Sequence, residues 1–207
     1  MTRKWNDIQW IFEPDESLTD LYVQDISLRE WEKLIDHLNA NFKLSYSDTD
    51  KIDKEYVLKY HRDRSGEMEC KSLTIFLEQI KVNCFFFLTE QIEFDIDPKE
   101  VNSLSDFELI EKFMISVSET LQEQVTLTAE SNPEFPLFKV DVKNKINKIL
   151  TKKEAEELRG TNNSFSNQIS LLRTKLKRKF FPQQFKSRLL ESANQEYKPT
   201  GKEKNVW

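Results

Sequence analysis

The chain has 207 residues, of which 38 % are hydrophobic and 32 % charged, with 15 Phe and 4 Trp. That is enough apolar material for a packed core under a heavily charged exterior, which excludes a chain disordered throughout. Its formal net charge of −5 hides a division: residues 1–138 hold 14 Lys and Arg against 29 Asp and Glu, a net −15, whereas residues 139–207 hold 17 against 7, a net +10.

No apolar run near the N-terminus reads as a signal peptide, and no uninterrupted apolar stretch approaches the ~18–20 residues that a membrane span requires. The longest, Cys84-Phe85-Phe86-Phe87-Leu88, has the length of a strand. The two cysteines, Cys70 and Cys84, form no CxxC pair and are expected reduced and buried, which places the chain in the cytoplasm.

In chain order, Trp10-Ile11-Phe12 is an apolar run followed by a turn signal at 14–17, and Leu21 and Val23 then alternate with Tyr22 and Gln24, which predicts a first hairpin. Ser27-Leu28-Arg29-Glu30 is a capping box, in which Ser and Glu satisfy free N–H groups at a helix start. Leu28, Trp31, Leu34, Ile35 and Leu38 form the apolar stripe of that helix. A strand is expected at 42–45 and an acidic loop at 47–53. The alternation of Tyr56, Leu58 and Tyr60 predicts a second strand. Residues 72–97 read as a meander with one covered face, built on Leu73/Ile75/Leu77, Val82/Cys84/Phe86/Leu88 and Ile92/Phe94/Ile96.

Ser105-Asp106-Phe107-Glu108 reads as a second capping box, opening a helix with a stripe at Phe107, Ile110, Met114, Val117 and Leu121. A strand with Val125, Leu127 and Ala129 follows, then an edge-like segment at 137–140. The fold expected is α+β: an antiparallel sheet with two amphipathic helices on one face. Because both blocks run strand, capped helix, strand, an internal duplication with pseudo-symmetric halves is one reading, and the commonness of such units is the other.

Beyond residue 140 the expected organisation is a basic helical extension over 141–194 and a disordered end at 195–207. Val142, Ile146, Ile149 and Leu150 predict a Lys-rich helix toward Leu158, stopped by Gly160. Phe165, Ile169, Leu172 and Leu176 mark a further helix, and Pro182 starts another with Phe185, Leu189 and Leu190.

Three well-separated glycines, Gly66, Gly160 and Gly201, exclude Walker-type and dinucleotide loops, and no GxSxG elbow occurs. No cofactor is expected. His37 lies off its helix's apolar stripe and reads as a surface residue. His61 beside Arg62, Asp63 and Arg64 is a candidate base without an identifiable nucleophile. Asp48, Asp50 and Asp53 fail the frame of a calcium loop and read as solvated charge. Asp25, Asp95 and Asp97 would pair as carboxylates in an unfamiliar hydrolase, or cap turns.

The strongest interaction signal is the segment 173–188, in which Arg173, Lys175, Lys177, Arg178, Lys179, Lys186 and Arg188 are interleaved with Phe180, Phe181 and Phe185. Basic side chains neutralise phosphates and aromatic rings stack on bases, so nucleic acid or an anionic surface is one expected partner. The alternative is that this segment docks on acidic protein surface, in the same chain or in a second copy.

The stretch Trp10-Ile11-Phe12-Glu13-Pro14-Asp15-Glu16-Ser17-Leu18-Thr19-Asp20-Leu21-Tyr22-Val23-Gln24-Asp25, followed by Ser27-Leu28-Arg29-Glu30-Trp31, resembles the start of small bacterial α+β proteins, some of them immunity proteins of toxin systems. The resemblance implies a non-enzymatic inhibitor or accessory subunit whose acidic surface engages another protein or a second copy. It carries no site residue across.

Overall fold

The computed structural model describes residues 3–13 and 17–162, and these belong to one unit that runs through Asn162. A short helix α1 (Trp5–Ile8) passes directly into a 3-10 turn (Gln9–Phe12), followed by strand β1 (Thr19–Gln24), helix α2 (Leu28–Asn41), strand β2 (Lys43–Tyr46) and helix α3 (Lys54–Arg62). Strands β3 (Ser72–Leu77), β4 (Ile80–Phe85) and β5 (Gln91–Ile96) form the meander. Helix α4 (Leu104–Leu121), strands β6 (Val125–Ala129), β7 (Pro136–Asp141) and β8 (Ile146–Ile149), and helix α5 (Lys152–Asn162) complete it. The class is α+β. All eight strands pair antiparallel in one sheet of order β2-β3-β4-β5-β1-β6-β7-β8.

One face of the sheet is apolar. Leu21 and Val23 on β1, Ile75 on β3, Val82 and Cys84 on β4, Phe94 and Ile96 on β5, Leu127 on β6 and Phe138 on β7 are all fully buried. Helices α2 and α4 lie side by side on that face. Their stripes, Trp31/Leu34/Ile35/Leu38 and Phe107/Ile110/Phe113/Met114/Val117/Leu121, fill the layer between helices and sheet. Each such side chain contributes about 1.5–3 kcal/mol by leaving water. Ser27 forms the predicted capping box on α2, bonding the helix start while Glu30 bonds back to the Ser27 N–H (3.1 Å).

Five local expectations are corrected. Trp10-Ile11-Phe12 is a 3-10 turn, not a hairpin strand: Ile11 and Phe12 turn into the core, where Phe12 meets Phe107 (6.2 Å), and β1 pairs instead with β5 and β6. The segment with Tyr56, Leu58 and Tyr60 is α3, because the Asp53 carboxylate caps its start by accepting from Tyr56 N–H (3.0 Å); Tyr56 and Tyr60 are one helical turn apart, so period two and period 3.6 coincide over so short a run. Helix α4 begins two residues before the expected box, with Ser103 as its cap accepting from Asp106 N–H (3.2 Å).

The fourth and fifth corrections concern the far edge. The Lys-rich segment beyond Val142 is a hairpin strand before it is a helix. Asp141 accepts from Asn144 N–H (2.9 Å) and from its side-chain amide (2.8 Å), Lys145 takes a positive φ of 55°, and β8 then folds back on β7. Strand β7 is therefore not the edge; β8 is.

The two blocks share an element order, but not the pseudo-symmetric placement expected of a duplication. A two-fold axis between β5 and β1 would map β2 onto β8, whereas the chain order would require β2 to match β6.

Candidate interaction surfaces

The chemistry-bearing residues singled out in the sequence are scattered by the fold. Asp25 sits exposed at positive φ (58°) in the turn after β1, and Asp97 caps the 3-10 turn Pro98–Glu100 by accepting from Lys99 N–H (2.9 Å). Asp95 lies mid-strand on the sheet face away from the helices, where it accepts from the Asn83 amide (2.8 Å). His61 is on the helix side, so it and Asp95 are separated by the sheet itself.

His61 lies near the end of α3, its ring 4.9 Å from Trp31 and 6.5 Å from Phe86. Its Nε2 is buried with no hydrogen-bond partner, and Thr89 Oγ lies 3.4 Å from Nδ1. Burial in this aromatic setting pushes its pKa down to about 4, with the charge of Glu90 opposing weakly. The Thr89 carbonyl also accepts from the Trp31 indole (3.1 Å), so one loop ties α2 and α3 together. His37 is half-buried at the α2–α4 contact, within hydrogen-bond distance of Ser116 Oγ and of the Asn41 amide (3.1 Å). Burial lowers its pKa.

Cys84 is buried and Cys70 half-buried, and neither is in a disulfide; burial raises the Cys84 pKa well above its ordinary value. Among the described residues no group of three or more His, Cys, Asp or Glu side chains is arranged to hold a metal ion, and no helix is long and apolar enough to cross a membrane. Arg173, Lys175, Lys177, Arg178, Lys179, Phe180, Phe181, Phe185, Lys186 and Arg188 all lie outside the described residues.

Two charged regions emerge that the sequence did not delimit. The first surrounds the start of α3. Asp36, Asp48, Asp50, Asp53 and Glu55 are exposed there, and Glu32 is half-buried. Two cations lie among them, exposed Lys51 and half-buried Lys54. Lys54 bonds both oxygens of Asp36 (2.8 and 3.0 Å); that bond, and the charges of Asp36, Glu32 and Glu55, raise its pKa. The α2–β2–α3 corner is thus strongly negative because a capped helix start and a helix surface meet across the short β2 connection.

The second region is the polar face of the sheet. Here Asp20 on β1 stands directly opposite Asp95 on β5, and Tyr22 opposite Glu93. Asp20 accepts from the Tyr22 hydroxyl (2.7 Å) and from Ser131 N–H (2.7 Å). On the other flank Thr74 donates to Asn83 (2.9 Å), which donates to Asp95, so a polar ladder crosses β3, β4 and β5. Carboxylates directly opposite each other on a sheet oppose its stability.

Comparison of the chain with protein-family models, with curated proteins and with solved structures finds no match.

Proposed function

We propose that this chain is a non-enzymatic binding protein that engages a basic macromolecular partner through its acidic surface, in the manner of an immunity-type inhibitor or an accessory subunit. The observation that carries this reading is the α2–β2–α3 corner, where six carboxylates outnumber two lysines, Lys51 and Lys54, on a capped two-helix platform. Fixed helices hold those charges in one arrangement, and a field of one sign attracts a complementary surface and accelerates its encounter. Residues 1–162 carry 33 Asp and Glu against 21 Lys and Arg, so the unit has a net charge of the same sign.

The test is association of the purified chain with separately purified products of neighbouring genes, measured by biolayer interferometry at low and high salt. Binding is expected with a basic partner, and it should weaken at least ~10-fold in Asp36→Asn/Asp50→Asn/Glu55→Gln and on raising the salt. Absence of binding to every neighbour, or binding indifferent to both changes, rejects the reading.

A further inference from the structure

The far end of the sheet carries the opposite charge. The turn at 142–145 sets the register of β7 on β8 so that Lys139 and Lys148 are direct cross-strand partners. Such partners share a sheet face with Cβ atoms about 4.5–5.5 Å apart, and like charges so placed destabilise the strand pair. The pairing occurs at an edge strand of only four residues, which has little other stability to offset it.

Two lysines just beyond β8 have acidic partners: Lys152 lies 3.6 Å from Glu13, and Lys153 lies 3.7 Å from Glu157. Among the described residues neither Lys139 nor Lys148 has a carboxylate within 4 Å. Glu154 feels the Lys148 charge, but its carboxylate is engaged at the start of α5, accepting from Thr151 N–H (2.7 Å) and the Thr151 hydroxyl (2.8 Å).

Both lysines border a cavity of about 290 Å³ that is also lined by Phe135, Leu150 and Leu158, with Glu134 contributing the one carboxylate. The cavity thus combines two cations and one carboxylate with apolar side chains. Its volume stands at the bottom of the ~300–1,000 Å³ range of small-molecule sites, which suits a single ring or short chain and not a dinucleotide.

We propose that the Lys139–Lys148 pair and this cavity form a binding site for a small phosphate monoester with an aromatic or aliphatic body. A phosphate monoester carries about −1.5 to −2 charge near neutral pH, which matches two ammonium groups and removes their mutual repulsion. Its apolar part lies against Phe135 and Leu150. The site is independent of the acidic corner and does not rest on the function proposed for it.

The test is NMR titration of the full-length, isotope-labelled chain with phenyl phosphate, with inorganic phosphate and phenol as comparison probes. Phenyl phosphate is expected to shift the Phe135, Lys139 and Lys148 resonances and to bind more tightly than either comparison probe. Lys139→Gln and Lys148→Gln should each weaken it by at least ~5-fold, a charged hydrogen bond being lost. Leu150→Ala should weaken phenyl phosphate but leave inorganic phosphate unchanged, and Lys177→Gln/Arg178→Gln should affect neither. Equal affinity for phenyl phosphate in Lys139→Gln and Lys148→Gln overturns the proposal, and so does loss of binding in Lys177→Gln/Arg178→Gln alone.

Discussion

The chain runs twice through the same series, a strand, a capped helix and three more strands, yet the sheet uses the two runs differently. After α2 the chain returns at the far edge as β2, and β3 and β4 work inward, with α3 inserted on the way. After α4 it returns beside β1 as β6, and β7 and β8 work outward. As a result β1 lies between β5 and β6, and β5 lies between β4 and β1, so each run completes the hydrogen bonding of the other. The lesson is that element order and sheet order are separate properties. Two like-patterned halves can interlock into one cooperative body without any symmetry between them.

The sharpest way to break this comparison is to cut the core of each run in turn. Trp31→Ala on α2 and Phe107→Ala on α4 each empty a fully buried site and should each cost about 3–5 kcal/mol. Because the runs interlock, urea unfolding of both variants should remain a single transition by tryptophan fluorescence and far-UV circular dichroism. Two separated transitions would show that the halves fold independently.

An intermediate effect distinguishes the α3 side. The His61 pKa is depressed from 6.5 to about 4 in the folded chain, so its contribution is complete above pH 6.5 and is lost as pH falls toward 4. Solvent screening of a partly exposed ring leaves this at about 1–2 kcal/mol. The urea midpoint of the natural chain should therefore fall more between pH 7 and 4 than that of His61→Phe, which keeps the aromatic packing but has no proton to gain. Parallel pH profiles would remove His61 from the account.

The smallest effects compare the two helix starts. Ser27→Ala and Ser103→Ala should each cost about 1 kcal/mol by thermal or urea unfolding, whereas Ser105→Ala should stay within about 0.5 kcal/mol. Ser105 reaches only the Ser103 hydroxyl (2.8 Å) and bonds no backbone N–H of the helix start. A larger loss at Ser105 than at Ser103 would reverse the assignment of the cap.

Where local pattern and burial agree, the sequence was legible. The stripes of α2 and α4 and the meander from Leu73 to Ile96 follow one unambiguous period over several turns or strands, and these elements form where that period places them, except that β4 ends at Phe85 and Leu88, expected on the covered face, is exposed. It was illegible in short segments. Tyr56 to Tyr60 satisfies either period, and only the Asp53 cap and the packing of Val57 and Leu58 select the helix. Ile146 and Ile149 are three apart, as in a helix, and the Asp141–Asn144 hydrogen bonds that make them a hairpin strand pass for ordinary surface polarity. Neither the acidic corner nor the lysine pair could be read in advance, since one gathers residues from α2, the 47–53 loop and α3, and the other joins Lys139 to Lys148 through a register.

The sequence by itself determined the class, the two amphipathic helices, the cap of α2, the covered face of the sheet and the separation of charge, because each depends on periodicity, a local cap or a simple count. Strand order, the interlocking of the two runs and the opposition of Asp20 to Asp95 and of Lys139 to Lys148 were decided only by tertiary structure. Pairing energy between strands depends on which surfaces meet. That choice is made by packing over the whole apolar face and leaves no periodic trace in any one segment.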